Sequence, residues 1–434
     1  MIPSFGTRSV FLALLFSAGI QNVASTISIS GHYKGKVKVY LNTTASSSSV
    51  GSAYFITNEP TGNYVVAADI SSDGQLTLRS AYATGGIGSH VVAAATGVTT
   101  GPDGLNSQGA ISVSAASSML ATVNAGSHTV SLFKIDENDS ANLTLIGEPI
   151  SSGGHFPTSV AFNNAGDTVC ALNGGSINGV SCFHVNQTSG LQVIPNTTRY
   201  FPLNQTTPAT TGAGGTVGQV LFSADNTQLL ASVKGLLPGP PALVGYIAIW
   251  DINESDRSLS EDYMPITPPE NGNNPFGFTR IAGENSAVIA ADTNDGFTIF
   301  DFTDGSRSSS VDVNTLGAIC WSSYSPKTGN YYMIDAGGAV FEVNIDSNLK
   351  GSVVQQYNST NMVGLFDGEI ASLQNNDFLY ILAENFSTIE VMSLNGPGKA
   401  QQIQSLDVAS RLTAAGIPIS SSNQGMATFV KSNN

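Results

Sequence analysis

The sequence predicts an all-β protein built from a repeated sheet, on three observations. Helical periodicity is nearly absent, and short runs rich in Val, Ile, Phe, Tyr and Thr alternate with Asp, Asn, Gly and Ser turns along 434 residues. These runs recur as a unit: an apolar strand (a), a turn, an apolar strand (b), a polar or Gly turn, an alternating strand (c) and a weaker strand (d). Finally, the first copy lacks its strand a, and a run of that character stands at the C-terminus.

The b strands fix the count at seven: AYFIT (53–57), MLATV (119–123), TVCAL (168–172), QLLASV (228–233), SAVIAA (286–291), YYMI (331–334) and FLYIL (378–382). Each is followed by a c strand: YVVAADI (64–70), TVSLFKI (129–135), GVSCFHV (179–185), LVGYIAIWDI (243–252), FTIFDF (297–302), AVFEVNI (339–345) and TIEVMSL (388–394). Six are preceded by an a strand: AISVS (110–114), TSVAF (158–162), GQVLF (218–222), FGFTRI (276–281), GAICW (317–321) and EIASL (369–373). GMATFV (425–430) supplies the seventh and would pair beside residues 53–57. Joining the two chain ends in one sheet removes the unprotected edges that an open array would have to cap. The expected fold is therefore a seven-bladed β-propeller with four-stranded blades, ring-closed by the C-terminal strand, over residues 52–434. Residues 26–51 read as an N-terminal extension, in which KVKVYLN (36–42) alternates like an outer strand without an assignable place.

Residues 1–25 read as a secretory signal peptide: Arg8, then the apolar run from Val10 to Ile20, then small residues at Val23 and Ser25. That run is too short to span a bilayer, which takes about 20 residues, and no membrane span is expected elsewhere. Nine N-x-S/T sequons, at Asn42, Asn138, Asn142, Asn186, Asn196, Asn204, Asn253, Asn358 and Asn385, fit an exported glycoprotein. The expected location is extracellular or in a cell wall. Lys plus Arg number 16 against 31 Asp plus Glu, a net charge of −15, and no basic run occurs; nucleic acid is excluded as a partner. Cys170 and Cys182 lie symmetrically about Ser176, so a hairpin there sets them opposite each other, and a cross-strand disulfide is expected in an oxidising compartment. Cys320 is left as a small buried hydrophobe. No CxxC or CxC occurs and the histidines lack ligand spacing, so no metal and no cofactor is expected.

In a propeller the start of strand a and the end of strand b share one face around the central channel, the default ligand site. The starts offer Gln108, His155, Gln219, Phe276, Cys320, Asp367 and Glu369. The ends offer Asn58, Asn124, Asn173, Lys234, Asp292, Asp335 and Glu384. The Asn and Asp ends also fit tight-turn chemistry, which is the preferred reading. The ligand set at the mouth is Gln108, Gln219, Lys234, Asp367 and Glu369. His155 is the candidate acid/base, since imidazole works near neutral pH; a turn-capping role beside GG and Pro is its alternative.

The segments FITNEPTGNYVVAADI (55–70), DGQLTLRSAYATGG (73–86), LNSQGAISVS (105–114), VNAGSHTVSLFKI (123–135), SGGHFPTSVAF (152–162), NPFGFT (274–279) and AICW (318–321) resemble the lactonase-type seven-bladed propellers. That family includes propeller 6-phosphogluconolactonases and carboxymuconate cyclases. The resemblance runs from about residue 52 to 430 and is closest to secreted, glycosylated fungal members, some of them cell-wall or adhesin-like antigens. It implies a His before the third blade, with Arg and Glu in the next. Here His155 precedes Phe156 and Pro157, TVGQV (216–220) holds no Arg, and Lys234 stands where the Glu belongs. Two of three roles are unfilled. The first expectation is accordingly a secreted binding or cell-surface module with weak or no catalysis, monomeric, whose partner is a small polar ligand or an extracellular-matrix component. The alternative is an extracellular lactonase or muconate cycloisomerase using His155. A wall scaffold without a small-molecule site is the third.

Overall fold

In the computed structural model, the residues described are 38–41 and 49–432, excluding 94, 213, 237–242, 270–271, 295, 315–316, 359–363, 375 and 384–386. The expected signal peptide, most of the expected extension, and Asn42, Glu384 and Asn385 lie outside the described residues.

Seven sheets stand around an axis, each with strands a to d in order from the centre outwards. Their innermost strands are Ile111–Ser114 (blade 2), Pro157–Phe162 (3), Val217–Phe222 (4), Pro275–Arg280 (5), Ile319–Ser325 (6), Leu365–Leu373 (7) and Gln424–Val430 (1). Each touches the next, and the seventh returns to the first, so the circle is closed. The closing strand pairs antiparallel with Gly51–Ile56, Gly51 opposite Val430 and Ile56 opposite Gln424. This is the ring closure read from GMATFV. A short helix, Ala409–Ala414, leads into that strand from blade 7 and buries Leu412.

KVKVYLN finds its place as well. Lys38–Tyr40 adds a fifth strand to the outer edge of blade 1, with Val39 opposite Ala81. Part of the extension thus belongs to the propeller sheet, and Lys38 ties it to blade 2 by donating from Nζ to the Asn142 side chain at 2.8 Å.

Strands b and c are buried almost without interruption, as sheets covered on both faces should be. Their Val, Ile, Leu and aromatic side chains interlock between neighbouring blades, for example Tyr332, Ile334 and Leu379 across blades 6 and 7. In blade 3 the register sets Cys170 opposite Cys182, and their sulfurs are bonded at 1.97 Å.

One irregularity repeats. In blades 1 and 3 to 7 the pairing of strands a and b shifts near the start of strand a, as at 217/220, 319/321 and 366/368. A bulge inserts a residue and turns its neighbours out of the pleat. Here the turned positions are those nearest the axis, among them Gln219, Cys320 and Asp367.

Candidate functional site: the axial cavity and its plug

The ends of strands b are bound up in structure. The Asn58 amide pairs with both backbone groups of Ser89. The Asn124 Oδ1 accepts from Asn63 Nδ2 and Thr84 Oγ1, and Asn173 exchanges bonds with Ser152. Asp292 accepts from the N–H groups of Asn273 and Asn274, and Asp335 from those of Gly317 and Gly337. Each such residue staples a loop at this face, its own blade's or a neighbour's, which is the turn reading with a wider reach.

The mouth expected at this face is crossed by the chain. The loop leading from blade 1 to blade 2 runs over the axis before strand a of blade 2 begins. Ser107 Oγ donates to the Thr158 carbonyl in blade 3, and the Gln108 N–H to the Gly218 carbonyl in blade 4. Trp321 Nε1 in blade 6 donates to the Ser107 carbonyl at 3.0 Å. The Gln108 amide pairs with both backbone groups of Ser322, giving from Nε2 to its carbonyl at 2.8 Å and accepting at Oε1 from its N–H at 3.1 Å. Gln108 is thereby a tie across the ring.

Lys234 holds the same loop. Its ammonium is buried, donates to the Asn106 carbonyl at 2.5 Å and lies 4.5 Å over the Phe276 ring. Asp103, also buried, is near enough to feel that charge. Burial pushes the Asp103 carboxyl up and the Lys234 ammonium down. Lys234 does not line the cavity and presents no free cation to a ligand.

Below this plug is a cavity of about 270 Å³ lined by Gln219, Asp367, Glu369, Val113, Leu221 and Thr428 among others. It follows the innermost strands away from the plug, so the channel is closed at the expected face and hollow beneath it. Four of the six residues expected at the mouth, Gln108, Gln219, Asp367 and Glu369, meet here. Gln219 Oε1 accepts from the Phe278 N–H at 2.6 Å, and no hydrogen bond of its Nε2 is found among the described residues, so that donor is left for the cavity the residue lines. The residue is 5% exposed. Asp367 accepts weakly from the Gly109 N–H at 3.4 Å, and Glu369 from its own neighbour Ile370 at 2.9 Å. Burial, with Glu369 and Asp103 nearby, drives the Asp367 carboxyl well above its ordinary range, and burial pushes Glu369 up to about 7.

His155 stands apart, at the rim between blades 2 and 3. Its Nδ1 is 2.9 Å from Ser176 Oγ, and its ring lies 4.7 Å from that of His128. No carboxylate or cation accompanies it in an ion pair among the described residues. Asp103 and His128 are the residues that sequence reasoning passed over. Asp103 sits in GPDG, a string that reads as an ordinary turn, and His128 in AGSH at the tip of a hairpin. Among the described residues, no group of three or more His, Cys, Asp and Glu could hold a metal, and no helix is long and apolar enough to cross a membrane.

Residues 53–207 match the family model "Lactonase, 7-bladed beta-propeller". No curated protein matches the sequence. Among solved structures, the periplasmic gluconolactonase PpgL of Pseudomonas aeruginosa superposes with a TM-score of 0.59 at 13% identity, over 82% of this chain and 96% of that one. A putative 6-phosphogluconolactonase from Bacteroides uniformis gives 0.57 at 14%, over 83% and 97%. A protein from Lactobacillus plantarum gives 0.54 at 12%, over 87% and 99%. At such identities the likeness is one of fold.

Proposed function

We propose, from the match of residues 53–207 to the lactonase propeller model and the closed seven-bladed ring, that this chain is an exported glycoprotein of that family whose axial cavity binds a small neutral ligand of the sugar-lactone class. The observation that carries this reading is the polar set on one cavity wall: two carboxyl groups that accept and the unpartnered Gln219 amide that donates. Hydroxyl groups answer both. The cavity is at the small end of ligand sites, about 300–1,000 Å³, which suits one sugar ring. Charge narrows the class further. Glu369, which ionises as pH rises through about 7, opposes any anion from there upward, so a phosphorylated lactone or a carboxymuconate is disfavoured against an uncharged one. The proteins of like fold named as gluconolactonases support the lactone class.

Binding is put ahead of turnover because Lys234 is committed to the plug and His155 is remote from the cavity. A second reading, hydrolysis, is favoured by Glu369 alone: a carboxyl raised to about 7 can take a proton from attacking water near neutral pH. Calorimetric titration of the full chain at pH 7.5 with fresh glucono-1,5-lactone and with its 6-phosphate tests the first. Saturable binding of the neutral lactone, at least tenfold tighter than the phosphate and lost in Gln219→Ala, is expected. Equal affinity for both, or no heat with either, sinks it. Acid release in a pH-stat that exceeds the uncatalysed rate and disappears in Glu369→Gln would replace binding by hydrolysis.

A further inference from the structure

A second site lies on the rim, outside the axial cavity. The hydrogen bond between Ser176 Oγ and His155 Nδ1, at 2.9 Å, joins a nucleophile to a base. Both residues are half-buried and so within reach of solvent. It is the only bond between a histidine ring and a hydroxyl among the described residues.

The backbone fixes the pair from both sides. The His155 N–H donates to the Ile177 carbonyl at 2.8 Å, and the Gly175 N–H returns a bond to the His155 carbonyl at 2.9 Å. The Ser176 N–H is held by the Thr207 carbonyl at 2.9 Å. The serine turn and the histidine segment are thus laced together, and the two side chains meet without a free loop between them. His128 packs against the base; its Nδ1 accepts from the Phe156 N–H, which leaves its own proton on Nε2. Burial, helped by His155, holds the His128 imidazole below its ordinary range, so no cation stands against the base at neutral pH. The N–H groups of Ile177 and Asn178, directly after the serine, make no hydrogen bond among the described residues. Donors in that position are what a developing oxyanion needs.

We infer that Ser176 and His155 form a nucleophilic dyad that cleaves small carboxylic esters or lactones at the blade 2–blade 3 rim. Ser176 Oγ attacks the carbonyl carbon as its proton passes to His155 Nδ1. The C–O bond to the alcohol then breaks, and the departing oxygen takes that proton. Water attacks the acyl-serine, gives a proton to His155, and the acid leaves as Oγ regains its hydrogen.

The test uses the full-length chain with a fluorophosphonate probe and 4-nitrophenyl acetate. A single phosphonylated serine, mapped to Ser176 by peptide mass spectrometry, is expected. Labelling should vanish in Ser176→Ala and slow at least tenfold in His155→Gln, with ester hydrolysis falling in parallel. Absence of an adduct on Ser176, or a labelling rate indifferent to His155→Gln, overturns the inference. Should Ser176→Ala fail to fold, Ser176→Cys serves in its place. The thiol is expected to react with iodoacetamide at a rate that falls at least tenfold when His155→Gln is added, and an equal rate in both backgrounds overturns the dyad.

Discussion

Asp367 and Glu369 lie two positions apart on one inner strand and both line the cavity, Asp367 as the residue that the bulge at 366/368 inserts into the strand. Burial gives the pair a stability signature. The Glu369 carboxyl is raised from 4.5 to about 7, so the folded protein keeps a proton that the unfolded chain has released. The resulting stabilisation is complete below about pH 4.5 and is lost as pH rises through 7. Comparing thermal midpoints of the native chain and Glu369→Gln between pH 4.5 and 8 isolates it. The native chain should lose up to about 3 kcal/mol relative to the variant; parallel pH profiles would show that Glu369 is not perturbed. At this scale the sequence was informative for four residues and misleading for two. Gln108, Gln219, Asp367 and Glu369 were found because their positions follow from the repeat. Lys234 follows from the same rule yet faces the plug, because a loop that no periodicity describes claims its ammonium first. His155 was read as a channel acid/base, while its partners, His128 and Ser176, belong to the neighbouring rim.

The element that alters the site is the loop ending at Gln108. Its anchors in blade 6 are 214 residues further along the chain, and short-range composition carries no trace of so distant a contact. Blades were legible for the opposite reason: each strand's burial is written in its own apolar run, and each turn in its Gly, Asn or Asp. The loop's seat also explains a glycine. At Gly277 a Cβ would fall 2.0 Å from Gln108 Oε1 and 2.8 Å from the Cys320 carbonyl, leaving no room for the tie across the ring. Gly277→Ala is expected to cost about 1–3 kcal/mol by overpacking, read as a shift of the urea midpoint. An unshifted midpoint would mean that Gln108 is not seated against blade 5.

For the whole molecule, the sequons have a sided arrangement. Asn138 and Asn253 lie in the connections between strands c and d of blades 2 and 4, Asn186 ends strand c of blade 3 just before its turn, and all three are exposed. Those turns share the face on which the innermost strands end, opposite the plug. Asn196, Asn204 and Asn358 are exposed elsewhere, whereas Asn142 is half-buried and its amide is engaged by Lys38 and Asp136. If the protein is exported, amidase release of N-glycans should convert the six exposed asparagines to aspartate and leave Asn142 unchanged; a spectrum with sugar on Asn142, or on none of the six, contradicts the accessibility argument.

Ring closure has a consequence for biosynthesis. The strand that completes blade 1 is made long after its partner Gly51–Ile56, so the first sheet waits with an open inner edge while some 370 residues are translated. The circle can shut only once Gln424–Val430 has cleared the ribosome. Until then the nascent protein offers an unpaired apolar border to its surroundings, and the first blade stays incomplete until that distant strand emerges.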